Sequence, residues 1–438
     1  MTAPLRIGLA GLGTVGAGVV ALLDANAGLI ERRADRAIVV TAVSARDRGR
    51  ERGVDLGRFA WVDDATELAA RGDVDVVVEL IGGSDGPALV LARATLGHGK
   101  AFVTANKAML AHHGLDLAQL AENHGAALKY EAAVAGGIPV IKGLREGAAA
   151  NRVERVYGIL NGTCNYILTR MEAEKLSFAA VLADAQRLGF AEADPSFDID
   201  GIDAAHKLSI LAAIAFGARI DFAHVAVEGI RAVGAVDIDH AATLGFRIKL
   251  VGLASEVDGA LFQRVHPCLV PLAHPLAHIG GSLNAVVAEG NFVGRLLFSG
   301  AGAGAGPTAS AVVADLIDVA RGEVGPAFAM PTARLAALAP ADTAAHVGRF
   351  YLRLAVADRP GVLAELTAAL RDAGVSIESL IQRGPANGEG TPSDGDAPVY
   401  VVMVTHAVRQ SAITAALDRM ATSNSVTAPP VMMHIIDF

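Results

Sequence analysis

Only two cysteines, Cys164 and Cys268, occur in the 438 residues, which excludes a disulfide framework and indicates a reducing compartment. Aromatic residues make up 5% of the chain and charged residues 19%, against 52% hydrophobic residues. This composition is too apolar for a disordered protein and predicts an aliphatic core. The formal net charge of −9 argues against a nucleic-acid-binding protein, because such proteins bind phosphates through an excess of cationic groups.

Uninterrupted apolar segments are also short. The stretch from Ile7 to Leu23 is nearly all apolar, but glycines interrupt it and no convincing cleavage site follows. No other segment reaches the roughly 20 apolar residues that span a bilayer. We therefore expect a cytoplasmic protein without a signal peptide or a membrane span.

At about 150 residues per domain, the length predicts roughly three domains. In the first third, short β-branched runs alternate with longer amphipathic stretches, a pattern typical of a parallel α/β sheet. From about residue 138 the pattern changes to longer helices with scattered strands, which predicts an α+β domain. The predicted strands of the first domain are Leu5–Ala10, Ile38–Val43, Val74–Leu80, Ala101–Thr104 and Ala127–Ala132, with a helix over Thr14–Arg33.

The last third shows a separate pattern. The Ala-rich stretch Arg334–Ala345 predicts a linker. A strand over Arg349–Ala357, a helix over Val362–Ala373 and a strand over Val399–Thr405 follow, and the Gly/Pro/Asp-rich residues 384–397 predict a flexible hairpin loop.

A glycine-rich motif connects the first predicted strand to the first predicted helix. This context makes G-x-G-x-x-G a dinucleotide-binding fingerprint, because the glycines permit a tight turn and a close approach of the pyrophosphate. The phosphates would meet free N–H groups at the helix N-terminus. The motif consists of Gly11, Leu12, Gly13, Thr14, Val15 and Gly16.

The end of the second strand bears on cofactor choice. Arg46 and Arg48 follow small residues there, and guanidinium groups suit the 2′-phosphate of NADP. Asp47 leaves NAD as the alternative. Two further candidates, Gly82 and Lys107, follow later strands at the edge of the sheet where ligands bind in open α/β folds.

The densest polar cluster of the chain lies between Glu192 and Lys207. Asp203 and Lys207 stand four residues apart, so they share one face of a helix. The apolar sequence after Lys207 predicts that this helix is buried, and a buried lysine can exchange a proton with a carbonyl oxygen. The alternative is an ordinary surface ion pair.

Seven ordered stretches resemble homoserine dehydrogenases in order and spacing. The resemblance implies reversible NAD(P)H-dependent reduction of L-aspartate 4-semialdehyde to L-homoserine, in the biosynthesis of threonine, methionine and isoleucine from aspartate. The stretches are GLGTVG (11–16), VELIGG (78–83), VTANKA (103–108), YEAAVAGGIPVI (130–141), GILNGTCNYIL (158–168), AEADPSFDIDGIDAAHKLSIL (191–211) and GAGPTASAVVADL (304–316).

The resemblance also implies roles for individual residues. Lys207 matches the proton donor to the aldehyde oxygen, and Lys107 matches a lysine near cofactor and substrate. Substrate-binding matches are Glu192, Asp198 and Asp203; further contacts to the nicotinamide cofactor are Gly189, Gly302 and Gly304. A monovalent cation, usually sodium, is implied at Glu131, Val134, Gly136 and Ile138, although this stretch could equally be a tight turn that needs no ion.

The DRPGVL turn near residue 360 resembles the ligand loop of ACT domains, with Asp358, Pro360, Gly361 and Val362 as the regulatory residues. The resemblance implies feedback inhibition by L-threonine, and the alternative is a unit that only mediates dimer contacts. We expect a homodimer, with a tetramer left open. The predicted organisation is a Rossmann domain (1–136), an α+β catalytic and dimerisation domain (137–330) whose end returns to the first domain, a linker (331–348), a βαββαβ ACT domain (349–428) and a tail (429–438).

Two other functions compete with this interpretation. Cys164 stands beside Asn165, as the nucleophilic cysteine of aspartate-semialdehyde dehydrogenases stands beside an asparagine, although a small buried residue is the simpler explanation. A nucleotide-dependent amino-acid sensor without catalysis is the second alternative, and the Asp203–Lys207 pair argues against it.

Overall fold

The computed structural model describes residues 2–188, 192–383 and 399–437. Its first unit is a parallel sheet with strand order β3-β2-β1-β4-β5-β6, the Rossmann arrangement. The unit comprises β1 (Leu5–Ala10), α1 (Thr14–Ala25), α2 (Ala27–Ala34), β2 (Ile38–Ser44), β3 (Ala60–Trp61), β4 (Val76–Glu79), α3 (Pro87–Gly97), β5 (Ala101–Thr104), α4 (Lys107–His124) and β6 (Leu128–Lys129).

Several predicted elements of this unit differ from the structure; the strand predicted over Val74–Leu80, for example, shortens to Val76–Glu79. The helix predicted over Thr14–Arg33 is two helices, which meet at Asn26 at an angle of 83°. The last predicted strand, Ala127–Ala132, shortens to β6 and is followed by a 3₁₀ turn over Glu131–Ala133. Within the described residues no single helix is long and apolar enough to cross a membrane; α1 and α2 meet that requirement only when counted together.

The second unit adds an extended sheet and returns to the first. Helix α11 packs on α1, where a Cβ on Gly18 would lie 2.8 Å from the Ala305 carbonyl oxygen, so the end of this unit lies against the first unit. The unit comprises α5 (Val140–Lys142), β7 (Val153–Ile159), α6 (Gly162–Glu174), α7 (Phe178–Arg187), α8 (Ser196–Ile199), α9 (Ile202–Phe216), β8 (Ala226–Val227), α10 (Ala235–Thr243), β9 (Phe246–Val257), β10 (Ala260–Pro271), β11 (Leu283–Gly290), β12 (Gly294–Ala301), α11 (Ala305–Ala320) and β13 (Ala339–Pro340).

The third unit shares that sheet. The main path of the sheet runs β12-β11-β7-β9-β10-β18-β14-β16-β15, so the residues predicted as a tail contain a strand that joins two units. The predicted loop over residues 384–397 lies outside the described residues. The third unit comprises β14 (Val347–Val356), α12 (Val362–Asp372), β15 (Ile377–Arg383), β16 (Val399–Thr405), β17 (Val408–Arg409), α13 (Gln410–Ala421) and β18 (Val431–Ile435).

Buried polar contacts reinforce the joint between the second and third units. Asp237 of α10 is fully buried and accepts hydrogen bonds from the Tyr351 hydroxyl at 2.9 Å and from Arg353 Nε at 2.7 Å. Arg264 of β10 donates from Nη1 to Nε2 of His434 on β18 at 2.5 Å. The third unit is therefore held by strand pairing, an ion pair and a histidine contact.

Candidate active site

The helices α4, α6 and α9 begin around one cavity of about 590 Å³ between the first and second units. Eight of the residues predicted from the sequence line this cavity, together with polar residues that the sequence analysis did not assign. The eight are Val15, Lys107, Gly136, Asp198, Asp203, Lys207, Gly302 and Gly304.

At the wall of the cavity, Lys207 and Asp203 form a buried ion pair. Lys207 Nζ lies 2.7 Å from Asp203 Oδ2 and donates a second hydrogen bond to the Leu160 carbonyl at 2.7 Å. Both side chains project from α9, whose residues 203–214 are all buried, as the apolar sequence predicted. An ammonium group has three N–H donors, and these contacts use two of them.

Lys107 completes the cluster from the opposite domain. It is the first residue of α4, and its Nζ lies 3.2 Å from the other carboxylate oxygen of Asp203. Burial opposes ionisation of Asp203, but the ammonium groups of Lys207 and Lys107 outweigh it and hold the pKa of this carboxyl well below its usual range. Asp203 is therefore a carboxylate bridging two cations across the domain boundary.

Sequence reasoning missed the amide side chains that surround this cluster. Asn161 donates from Nδ2 to Asp198 at 2.7 Å and to Asp203 at 2.8 Å, so it links the two predicted carboxylates. Thr163 donates to the other oxygen of Asp198 at 3.0 Å. Asn284 donates to the Leu160 carbonyl at 2.9 Å, the same oxygen that receives Lys207. For Asn161 the available signal was its position just before a helix, where its oxygen caps Cys164 N–H.

The glycine fingerprint has the geometry that a dinucleotide requires. Gly11 has a φ of +100°, and a Cβ there would lie 2.5 Å from the Leu80 carbonyl oxygen. A Cβ on Gly16 would lie 2.1 Å from the Gly11 carbonyl oxygen, so helix and turn require glycine. By contrast, no atom of the described residues lies within 4 Å of a Cβ on Gly13, which leaves space for a ligand to approach the backbone. The residues present fit a dinucleotide.

The predicted arginines lie beside this fingerprint. The strand β2 ends next to β1, and Gly11 N–H donates to the Ser44 carbonyl at 2.9 Å. Arg46 and Arg48 follow on an exposed segment, with the Arg48 guanidinium 5.7 Å from the centre of the Trp61 ring. Asp47 Oδ1 accepts the Gly49 N–H at 2.9 Å, so this carboxylate is used within its own turn.

Gly82 lies beyond the first cavity. It lines a neighbouring cavity of about 330 Å³ that shares Lys107 with the first. The buried carboxylate of Glu79 shapes this turn by accepting the N–H groups of Ile81 at 2.7 Å and Gly82 at 2.9 Å. The turn therefore places Gly82 in the same cavity as Lys107, which the sequence analysis assigned to the cofactor.

Three residues singled out from the sequence stand apart from this cluster. Glu192 is exposed and is not part of the cavity wall, and Gly189 lies outside the described residues. Cys164 is fully buried and donates to the Asp198 carbonyl at 3.2 Å. Burial and the nearby Asp198 raise the pKa of the Cys164 thiol well above its ordinary value, which opposes the thiolate that a nucleophile needs.

The predicted cation residues form an irregular turn against the cavity. Ala135 and Gly136 both have left-handed φ angles of +57° and +54°, and a Cβ on Gly136 would lie 2.4 Å from the Gly302 carbonyl oxygen. The carboxylate of Glu131 accepts the N–H groups of Ile141 and Lys142, each at 2.9 Å. The Glu131 carboxylate is therefore engaged within the turn, and the Ile138 carbonyl accepts the Val140 N–H at 2.7 Å.

In the third unit, the predicted regulatory turn joins β14 to α12. Asp358, Pro360 and Gly361 are exposed, whereas Val362 is buried as the first residue of the helix. Gly361 has a φ of +96°, which glycine adopts without strain. The turn presents a helix N-terminus to solvent, and the helix begins at the predicted residue, Val362.

Taken together, a Rossmann domain with a fitting glycine fingerprint and a buried lysine–carboxylate cluster define an NAD(P)-dependent oxidoreductase. Comparison with known families gives a match to "Homoserine dehydrogenase, NAD binding domain" over residues 11–131, to "Homoserine dehydrogenase" over 139–317 and to "ACT domain" over 350–420. The chain belongs to the homoserine dehydrogenase family.

Full-length relatives support this assignment. The chain is 43% identical to the homoserine dehydrogenase of Neisseria gonorrhoeae, over 99% of this chain and 98% of that protein. It is 42% identical to the enzyme of Pseudomonas aeruginosa over 99% of both chains. Among solved structures, the homoserine dehydrogenase of Thiobacillus denitrificans matches with a TM-score of 0.92 and 40% identity over 99% of both chains. A hyperthermophilic archaeal homoserine dehydrogenase solved in complex with NADPH matches with a TM-score of 0.61 and 26% identity, over 72% of this chain and 97% of that chain.

Proposed function

We propose that the chain reduces L-aspartate 4-semialdehyde to L-homoserine with NADPH, and catalyses the reverse oxidation. The observation that carries the proposal is the Lys207–Asp203–Lys107 cluster at the wall of a cavity that also includes Val15 of the fingerprint. Two ammonium groups near one cavity wall suit a reaction in which negative charge develops on a carbonyl oxygen.

In this mechanism, NADPH, when bound, supplies the hydride that reduces the aldehyde carbon. Lys207 directs its remaining N–H into the cavity and donates the proton to the developing alkoxide. Asp203 holds that ammonium in place, and Lys107 adds a second positive charge near the oxygen. Asp198, held by Asn161 and Thr163, offers a negative charge to the α-ammonium group of the amino-acid substrate. Glu192 is exposed and outside the cavity wall, so its proposed contact with the substrate rests on the resemblance to the family alone.

The test is homoserine-dependent reduction of NADP⁺, followed by the absorbance of reduced nicotinamide. The purified protein is expected to catalyse this reduction. A folded protein that binds NADPH but shows no homoserine-dependent reduction would instead favour a nucleotide-dependent amino-acid sensor without catalysis. Replacing Glu192 with alanine is expected to raise the KM for homoserine while the KM for NADP⁺ changes little.

The preference for NADP is part of the proposal. It is supported by the exposed Arg46 and Arg48 beside the fingerprint and by the use of Asp47 within its own turn. One oxygen of that carboxylate is already engaged, which leaves only the other for the ribose hydroxyls that NAD presents. The related archaeal enzyme was solved with NADPH. Values of kcat/KM for both nucleotides test this preference; a higher value for NADH would contradict it.

A monovalent cation, sodium by preference, is proposed at the carbonyls of Glu131, Val134, Gly136 and Ile138. Such an ion would fix the turn that packs against Gly302. Activity is expected to rise with added Na⁺ at constant ionic strength, with choline chloride as the control. A response that is identical for the two salts would argue for a turn that needs no ion.

Feedback by L-threonine is proposed to act through the ACT domain, with its carboxylate at the N-terminus of α12. The test is inhibition by threonine of the wild type and of Asp358→Ala. Truncation at residue 345 is unsuitable, because it also removes β18, which pairs with β10 of the second unit. Absence of inhibition in the wild type would favour a domain that only mediates subunit contacts.

A homodimer is proposed as the assembled form. The strand β12 lies at one edge of the large sheet and exposes Leu297, and the adjoining turn exposes 91% of Phe292. An exposed apolar sheet edge is a surface that subunits cover. Light scattering coupled to size-exclusion chromatography should give twice the chain mass, and a monomer at micromolar concentration would contradict this proposal.

A further inference from the structure

The segment that follows β2 is fastened to the glycine fingerprint by Arg52, a residue without an assigned role in the reaction. Its Nε donates to the carbonyl of Leu12, inside the fingerprint, at 2.8 Å. Its Nη1 donates to the Arg50 carbonyl at 2.6 Å, and its Nη2 donates to the Asp47 carbonyl at 2.5 Å. One guanidinium therefore links two backbone carbonyls of the 45–52 segment to the glycine turn of the fingerprint.

The charges of this segment also point to an anion. Residues 45–52 contain four arginines against Asp47 and Glu51, and the three carbonyls to which Arg52 donates are all neutral. The Arg48 guanidinium has a second anchor, the Trp61 ring at 5.7 Å. The segment is thus ordered from two sides while it keeps its positive charge.

We propose that Arg52 is a positioning residue for cofactor selectivity. It holds the 45–52 segment so that the guanidinium groups of Arg46 and Arg48 face the 2′-phosphate of NADP. A segment that is already ordered loses less conformational freedom when the 2′-phosphate binds. Arg52 therefore increases the affinity for the nucleotide that carries this phosphate. This inference rests on the proposed use of NADPH.

The test compares 2′,5′-ADP with 5′-AMP, two fragments that differ by the 2′-phosphate, by calorimetry on the full chain. In Arg52→Gln, affinity for 2′,5′-ADP is expected to fall about tenfold, as for the loss of a charged hydrogen-bonding group. Affinity for 5′-AMP should change less than about twofold. Arg52→Lys keeps the charge, but its single nitrogen cannot reach the three carbonyls that Nε, Nη1 and Nη2 contact separately, so it should lose a similar share of affinity for 2′,5′-ADP. The ratio of kcat/KM for NADPH to that for NADH should fall in parallel.

Arg50→Gln is the matched control, because it removes a guanidinium from the same segment and leaves the backbone carbonyl that Arg52 uses. It should retain most of the wild-type preference for 2′,5′-ADP. Equal losses for both nucleotides in Arg52→Gln would overturn the inference, as would full preference in Arg52→Lys or an equal loss in Arg50→Gln. A wild type that does not prefer 2′,5′-ADP would instead refute the proposed NADP preference and this inference with it.

Discussion

Replacing Lys207 with methionine removes the proposed proton donor and leaves its neighbours partnered. Asp203 keeps Lys107 at 3.2 Å and Asn161 at 2.8 Å, and the Leu160 carbonyl keeps the Asn284 amide at 2.9 Å. Methionine is unbranched and close in volume to lysine, so it fills the same space. Two hydrogen bonds from a charged donor are lost, so we expect the free energy of unfolding to fall by about 3 kcal/mol.

The effect on catalysis is expected to be much larger. A positioned general acid accounts for about 10²–10⁴-fold in rate, which corresponds to about 3–5 kcal/mol in the activation barrier. We therefore expect kcat for aldehyde reduction to fall by that factor in Lys207→Met. Lys207→Arg keeps the charge but does not release a proton, so it should be nearly as slow.

Binding and chemistry can be separated with an internal probe. Trp61 is the single tryptophan and lies beside Arg48, so its fluorescence should report NADPH binding. The Kd of Lys207→Met for NADPH should stay within about twofold of the wild type, since the ammonium donates to a carbonyl and a carboxylate rather than to the fingerprint. A folded variant with a kcat within about fivefold of the wild type would refute the assignment of Lys207 as proton donor.

Three other substitutions test separate parts of the structure. Cys164→Ser should keep kcat within about twofold, because its thiol is buried and has a raised pKa; a 100-fold loss in a folded variant, about the minimum for a lost catalytic group, would restore the nucleophile hypothesis. Gly16→Ala should abolish NADPH binding, because its Cβ would lie 2.1 Å from the Gly11 carbonyl oxygen; an unchanged Kd would contradict this geometry. Burial and the adjacent His266 hold the pKa of His434 well below its usual range. Below about pH 6.5 the unfolded chain binds a proton at His434 and the native chain does not. The free energy of unfolding should therefore decrease as the pH is lowered. Urea denaturation at several pH values should show that the free energy of unfolding depends less steeply on pH in His434→Gln than in the wild type. An equal pH dependence in the two proteins would contradict the lowered pKa of His434.

Much of the strand pattern could be predicted from local sequence. The strands Leu5–Ala10, Ala101–Thr104 and Val399–Thr405 are confirmed at both ends, because each is a short, largely apolar run that begins directly after a proline or a lysine. The single helix Thr14–Arg33 is wrong. Asn26 leaves the helical conformation with φ −113° and ψ 18°, and no proline marks the break in the sequence.

For the site, the sequence was informative where spacing along one helix determines the contact. The i,i+4 relation of Asp203 and Lys207 predicted a pair that the structure contains. The bridges made by Asn161 and Asn284 connect residues at least 37 positions apart, and an amide carries no local signal for such partners. The contact of Arg52 with Leu12 spans 40 positions and was hidden for the same reason.

The strand β18 limits how the ACT domain and the second unit can move relative to each other. It pairs with β14 through five residues and with β10 through two, so strand pairing joins the second and third units within one sheet. Sliding by one residue would turn every side chain of the strand to the opposite face, which the buried cores resist. Any signal from the ACT domain would therefore reach the second unit as torsion within one continuous sheet rather than as rotation about a hinge.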